Sequence, residues 1–161
     1  MPDYKKKIYL NSIFLISFIA VISAYFIEHF LGYQPCNLCI IERIPYILSL
    51  ILLLINFKFE VNEKYLVILL IIIFIFSLII SLYHFGIEQD FFQESFMCGV
   101  KDESNILSKD ELLAKLQKIT ISCKDVTFRI FGFSLTTINI LMSVTIIILL
   151  TIILNINEKN R

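Results

Sequence analysis

The sequence predicts an all-α membrane protein: a four-transmembrane-helix bundle with a short amphipathic helix in its second outward-facing loop. Three observations predict it. Apolar residues make up 58% of the 161-residue chain. They gather into four runs, about 8–27, 40–57, 65–85 and 133–154. Runs of roughly 20 apolar residues cross a bilayer core of roughly 30 Å. The charges are confined to a few stretches, most of them between the runs. A soluble bundle would need a polar face on each helix, and Leu66 to Ile80, with one Ser and no charge, offers none. The whole chain, 1–161, is read as a single integral membrane domain with outer loops at about 28–39 and 86–132.

Orientation follows from Lys and Arg in the flanks. Lys5, Lys6 and Lys7 precede the first run, Lys58 and Lys64 lie between the second and third, and Lys159 and Arg161 end the chain. The loop at 28–39 has no basic residue, and in the long loop acids outnumber the basic residues. Both termini and the second connection are therefore placed in the cytoplasm, and the other two connections outside. Net charge is zero, with 14 basic and 14 acidic residues, so no basic excess points to nucleic acid. The three lysines could open a signal peptide. The long first run, with no small-x-small cleavage site before Glu28, favours a retained anchor.

The first run carries Ser12, Ser17, Ala20, Ser23 and Ala24, small enough for close helix packing. Gly32 provides a turn, and Pro35 suits the first position of the next helix. That helix opens on Cys36-x-x-Cys39. Arg43 follows at helical spacing on the same face, Glu42 points to another, and Pro45 is expected inside the helix, kinking it. An Arg within a turn of the membrane surface marks a functional site or snorkels to headgroups. Near the end of the third run His84 and Glu88 lie one turn apart, with Gly86 between them as a helix weakener. His84 there is either a proton carrier or a surface anchor. In the long loop Ser108 and Glu111 form a capping box, and Leu112, Leu113, Leu116 and Ile119 continue it as the amphipathic helix. Phe91, Phe92, Phe96, Phe128, Phe131 and Phe133 read as interfacial.

All four cysteines, Cys36, Cys39, Cys98 and Cys123, fall on the outer side, where disulfides persist. Four cysteines allow three pairings. The helix head favours Cys36–Cys39, which leaves Cys98–Cys123 to close a loop of roughly 26 residues, stabilising by about 3–4 kcal/mol as a mere staple. A zinc site needs two close pairs and only one exists, so no metal is expected. A helix N-terminus favours thiolate, and thiolate attack passes a disulfide between pairs. Two pairs at a bilayer edge thus make a relay toward something dissolved in lipid.

These residues resemble the disulfide bond formation protein B family over nearly the whole chain. The resemblance rests on Cys36-Asn37-Leu38-Cys39-Ile40-Ile41-Glu42-Arg43, on Tyr83-His84-Phe85-Gly86-Ile87-Glu88-Gln89, on Cys98, and on Cys123-Lys124-Asp125 followed by Phe131-Gly132-Phe133-Ser134-Leu135 and Asn139. It implies a disulfide-generating oxidoreductase of the bacterial inner membrane. A reduced periplasmic thioredoxin-fold dithiol oxidase would attack Cys98 of the loop disulfide. Cys123 would then attack Cys36–Cys39, and the electrons would pass to a membrane quinone, ubiquinone or menaquinone. Cys39 matches the position that meets the quinone, Arg43 the quinone-site arginine, and His84 a family position only loosely. The vitamin K epoxide reductase-like class also uses two cysteine pairs on four helices, but there the helix-borne C-x-x-C follows the loop pair. A specialised member serving one dedicated dithiol partner, or a structural protein with a stapled loop, are the remaining alternatives.

Overall fold

The computed structural model describes residues 2–59, 62–93, 98, 123–124, 129–130 and 132–159. Five helices and one hairpin are found among them: α1 (Pro2–His29), α2 (Asn37–Ile41), α3 (Ile44–Phe59), α4 (Glu63–Glu88), β1 (Arg129–Ile130), β2 (Phe133–Ser134) and α5 (Leu135–Lys159). Four helical stretches are long and apolar enough to cross a membrane, with α2 and α3 forming one of them. The fold is the expected four-helix bundle. The expected amphipathic helix with its Ser108–Glu111 capping box, and Phe96, Phe128 and Phe131, lie outside the described residues.

One half of the bundle is largely apolar. Ile13, Leu53, Val67, Leu70, Phe74, Ile146, Leu150 and Ile153 are buried there, interlocked as one cluster. Outward-facing Phe18, Ile22, Phe76, Ile79 and Leu141 stay exposed, as suits lipid contact. Lys6 near the start of α1 reaches Glu63 at the start of α4, 3.3 Å away. That pair fixes these two helix starts at the same end, opposite the cysteines. Ser17 is fully buried and accepts from Ser49 Oγ at 3.0 Å, so one of the small residues of α1 does serve close packing.

Three local expectations are corrected. Pro35 does not start a helix; Cys36 is the N-cap and α2 begins at Asn37. Pro45 does not kink a continuous helix, because the chain turns at Glu42 and Arg43 and restarts at Ile44. Proline then sits in the first turn of α3, where its missing N–H costs nothing. Gly86 does not weaken α4, which runs on to Glu88. There Phe91 N–H bonds the Gly86 carbonyl at 2.8 Å and Asp90 N–H the Ile87 carbonyl at 3.1 Å. Asp90 takes φ 62°, so the end is a Schellman-type cap. Gly32, at φ 73°, makes the turn after α1 as expected.

Gly86 is needed for a close approach: a Cβ there would stand 2.2 Å from the Phe92 ring. Gly86→Ala is therefore expected to destabilise the detergent-solubilised protein by about 1–3 kcal/mol, the usual cost of overpacking. Adding Phe92→Ala should recover most of the loss. Thermal unfolding of the single and double variants measures this coupling.

Candidate thiol site at the cysteine end of the bundle

The site is organised by the head of α2. Cys36 is extended at the N-cap, ψ 168°, and its sulfur accepts the Cys39 N–H at 3.3 Å. A side-chain acceptor at an N-cap satisfies one of the orphan donors of a helix start; here a sulfur serves. The same turn brings Cys39 Sγ to 2.8 Å from Cys36 Sγ. A disulfide spans about 2.05 Å, so less than one ångström of motion separates the two thiols from a bond.

The other two cysteines meet them. Cys36, Cys98 and Cys123 are buried together with Leu38 and Ile87. Cys123 is hydrogen-bonded to both Cys36 and Cys98. All four are free thiols. The exposed ion pair of Lys124 with Asp90, 2.6 Å, draws the Cys123 segment to the end of α4. Hydrogen bonds from Cys123 and Cys39, together with His84, hold the Cys36 thiol far below its ordinary value in spite of burial. Its hydrogen bond to Cys36, burial and the neighbouring Cys98 push Cys123 far above its own. Cys36 is thus the sulfur that carries the thiolate, and its neighbours donate to it.

Behind Cys36 lies a buried polar cluster drawn from three helices. His84 Nε2 is 3.6 Å from Cys36 Sγ. On the other side of the ring, Nδ1 meets Glu42 Oε1 at 3.0 Å, which makes Nδ1–H the donor to the carboxylate. Asn139 Nδ2 donates to the second Glu42 oxygen at 3.0 Å and to Ser81 Oγ at 2.8 Å. Tyr46 donates to Asn139 Oδ1 and lies 3.4 Å from Ser143 Oγ, which reaches Ser77 Oγ at 3.3 Å. Thr136 Oγ1 donates to Glu88 Oε1 at 2.5 Å. A buried charge costs several kcal/mol unless it is paired and hydrogen-bonded, and Glu42 has partners at both oxygens.

Cys39, Arg43, His84 and Glu88 line one cavity of about 280 Å³, lined also by apolar residues of α1 and α5 such as Ile19, Ile27 and Met142. Arg43 pairs with Glu28 and its guanidinium lies 5.2 Å from the Tyr25 ring centre. Cys36, Cys39 and His84 offer donor atoms within 4.8 Å of one another. A tetrahedral zinc would hold two sulfurs roughly 3.8 Å apart. The 2.8 Å observed matches bond formation between the thiols better than shared coordination.

The structure therefore brings together the four cysteines and His84, with Arg43 at the same cavity. It corrects one assignment: Glu42 points into the bundle and grips His84. Glu42 keeps helical backbone, φ −64° and ψ −18°, as the C-cap of α2, and residues three apart on a helix share a face, so it stands on the side of Cys39. Glu28, Tyr25 and Thr136 were not singled out for the site. For α5 a signal existed, because Thr136, Asn139 and Ser143 recur at helical spacing in an apolar run.

The thiolate at Cys36 has a consequence for reactivity. A thiolate is the nucleophile, and an ordinary thiol alkylates about 100-fold more slowly at pH 6 than at pH 8. Because its value is held far below the ordinary one, Cys36 should lose much less than that over the same range. In Cys123→Ala, which removes the largest cause, the pH dependence should return in part. Alkylation of the reduced protein followed by mass spectrometry reads both.

Comparison with known proteins agrees with this geometry. Residues 6–153 match the family model described as Disulfide bond formation protein DsbB. An uncharacterized protein of Rickettsia prowazekii (strain Madrid E) is 32% identical over 149 residues, covering 91% of this chain and 86% of that protein. That family is one of membrane thiol oxidoreductases, and by its cysteine order, its four spanning helices and this match the chain belongs to the DsbB family.

Proposed function

We propose that this protein reoxidises a periplasmic, thioredoxin-fold dithiol oxidase of the DsbA kind and passes the electrons to a membrane quinone, in the bacterial inner membrane with both termini cytoplasmic. The observation that carries the reading is the position of Cys36. One sulfur lies in bonding reach of Cys39, accepts from Cys123 and faces His84, beside a cavity walled by apolar residues of α1 and α5. The Lys6–Glu63 pair at the opposite end fits the basic residues' preference for the cytoplasmic side.

In the working cycle the pairs are Cys98–Cys123 and Cys36–Cys39. The partner's thiolate attacks Cys98, and Cys123 leaves. Cys123 then attacks Cys36, its hydrogen-bonded neighbour, and releases Cys39 as a thiolate at the cavity. The residues fit a quinone head group. The cavity is near the lower end of small-molecule sites, roughly 300–1,000 Å³, its walls are apolar, and Cys39 and Arg43 supply the polar contacts. A quinone so bound supplies a two-electron sink. Arg43, oriented by Glu28 and Tyr25, would stabilise negative charge on both Cys39 and the acceptor oxygen. The partner is a strong oxidant, at about −120 mV, so its reoxidation needs an acceptor well above glutathione, as a quinone is.

Purified protein with a reduced thioredoxin-fold partner and quinone, under anaerobic conditions, tests this. Wild type should form quinol. Cys36→Ser and Cys98→Ala should abolish it, and Arg43→Ala should lower kcat/KM for quinone by about 10–100-fold, the worth of a charge-assisted contact. Unchanged rates in Cys36→Ser would overturn the function, and in Arg43→Ala the acceptor site. Cys123→Ala should accumulate a mixed disulfide between Cys98 and the partner. Trapping through another cysteine would reverse the order of attack.

A further inference from the structure

Glu88 is a buried acid, among the described residues, that this cycle leaves idle. Its side chain is 6% exposed at the end of α4. Oε1 accepts the Thr136 hydroxyl at 2.5 Å, and that same Thr136 oxygen lies 3.2 Å from His84 Nδ1. Oε2 is buried and has no hydrogen-bond partner among the described residues. A carboxylate oxygen left unsatisfied in an apolar setting costs on the order of 1–3 kcal/mol or more, so such an atom calls for an explanation. Glu88 lines the cavity shared by Cys39 and Arg43. A ligand in that cavity with an O–H to share, or an oxygen that takes up a proton, would meet the missing partner.

We propose that Glu88 is a catalytic residue that delivers a proton to the acceptor oxygen in the cavity and receives its replacement from His84. This rests on the quinone reading above. The geometry supplies both halves of the route. His84 Nε2 stands between Cys36 Sγ, 3.6 Å away, and Glu88 Oε1, 4.0 Å away. A carboxylate on either side, Glu42 at Nδ1 and Glu88 beyond Nε2, stabilises the imidazolium that holds the proton in transit. The charged and titratable groups that line the cavity with Glu88 are His84 on its own helix, and Glu42, Arg43, Cys36, Cys39, Cys123, Tyr33 and Tyr46.

The step balances. Over one turnover the partner's two S–H bonds break, its S–S bond forms, and two electrons and two protons convert a quinone to a quinol. One of those protons is held on His84 Nε2, beside the sulfur through which the exchange passes. Glu88 gives a proton to the acceptor oxygen and is recharged from His84. The partner's other proton is the second that the quinol takes.

Glu88→Gln keeps the shape and the Thr136 contact but holds no transferable proton. Positioned proton transfer contributes about 10²–10⁴-fold. The variant should therefore lose at least about 100-fold in kcat for quinone, while KM shifts far less and exchange between partner and loop cysteines stays at the wild-type rate. A second reading is independent of turnover. Infrared difference spectra of wild type on binding a redox-inert quinone analogue should show a perturbed carboxyl band, absent in Glu88→Gln and retained in Glu63→Gln at the far end of the bundle. A Glu88→Gln variant within threefold of wild type in kcat, or with the carboxyl band still present, overturns the proposal. If the wild type itself neither binds the analogue nor reduces quinone, the quinone reading fails and not merely the role of Glu88.

Discussion

A carboxylate in the interior of a membrane bundle must be met by partners on every side, and the site around Cys36 depends on how Glu42 is met. His84 from α4 takes one oxygen and Asn139 from α5 the other, while Glu42 itself ends α2. Three chain segments are thereby fixed to one another at one point. Truncating Asn139 or His84 would leave a buried charge without its partner, which is the costly way to break such a cluster. The clamp also sets direction: with Nδ1 committed to Glu42, the free face of the imidazole, Nε2, is aimed at Cys36. Binding and aiming are the same interaction.

The cluster is confined to one half of the bundle. It descends through Tyr46, Ser143 and Ser77, and beyond it the core turns to Leu53, Leu70, Phe74, Ile146 and Leu150. Hydrogen-bonding side chains in lipid surroundings are tolerated where neighbours satisfy them, and here they satisfy one another in a block next to the thiols. The apolar half then carries the packing, and the polar half the chemistry.

The fold was legible in the sequence because length and apolarity decide membrane helices almost alone, and the four runs carry no competing signal. The cysteines were legible because C-x-x-C at a helix start has few inert uses. What escaped at Glu42 was the spacing itself. Three residues beyond Cys39 and with helical backbone, it lies on the cysteine side of the helix and reaches His84. At Gly86, propensity marks a glycine as a weak point, but the ring of Phe92 occupies the space a Cβ would take. Thr136 and Glu28 matter through partners more than 40 residues away or on another helix, information that spacing along one helix does not contain.

The arrangement of the sulfurs imposes an order on any exchange they perform. A sulfur forms one disulfide at a time, and Cys36 has two sulfurs waiting on it, Cys39 within its own turn and Cys123 from the far side of the chain. Joining either one releases the other. Cys36 needs no large movement to change partners, since the N-cap position holds its backbone in place and both neighbours already donate to it. The released sulfur differs in each case: Cys123 returns toward Cys98, and Cys39 is left at the cavity with Arg43. A single pivoting sulfur thereby separates the exchange with soluble thiols from the exchange inside the cavity. His84 and Glu42 lie behind that pivot, so whichever bond Cys36 makes, the same imidazole faces it.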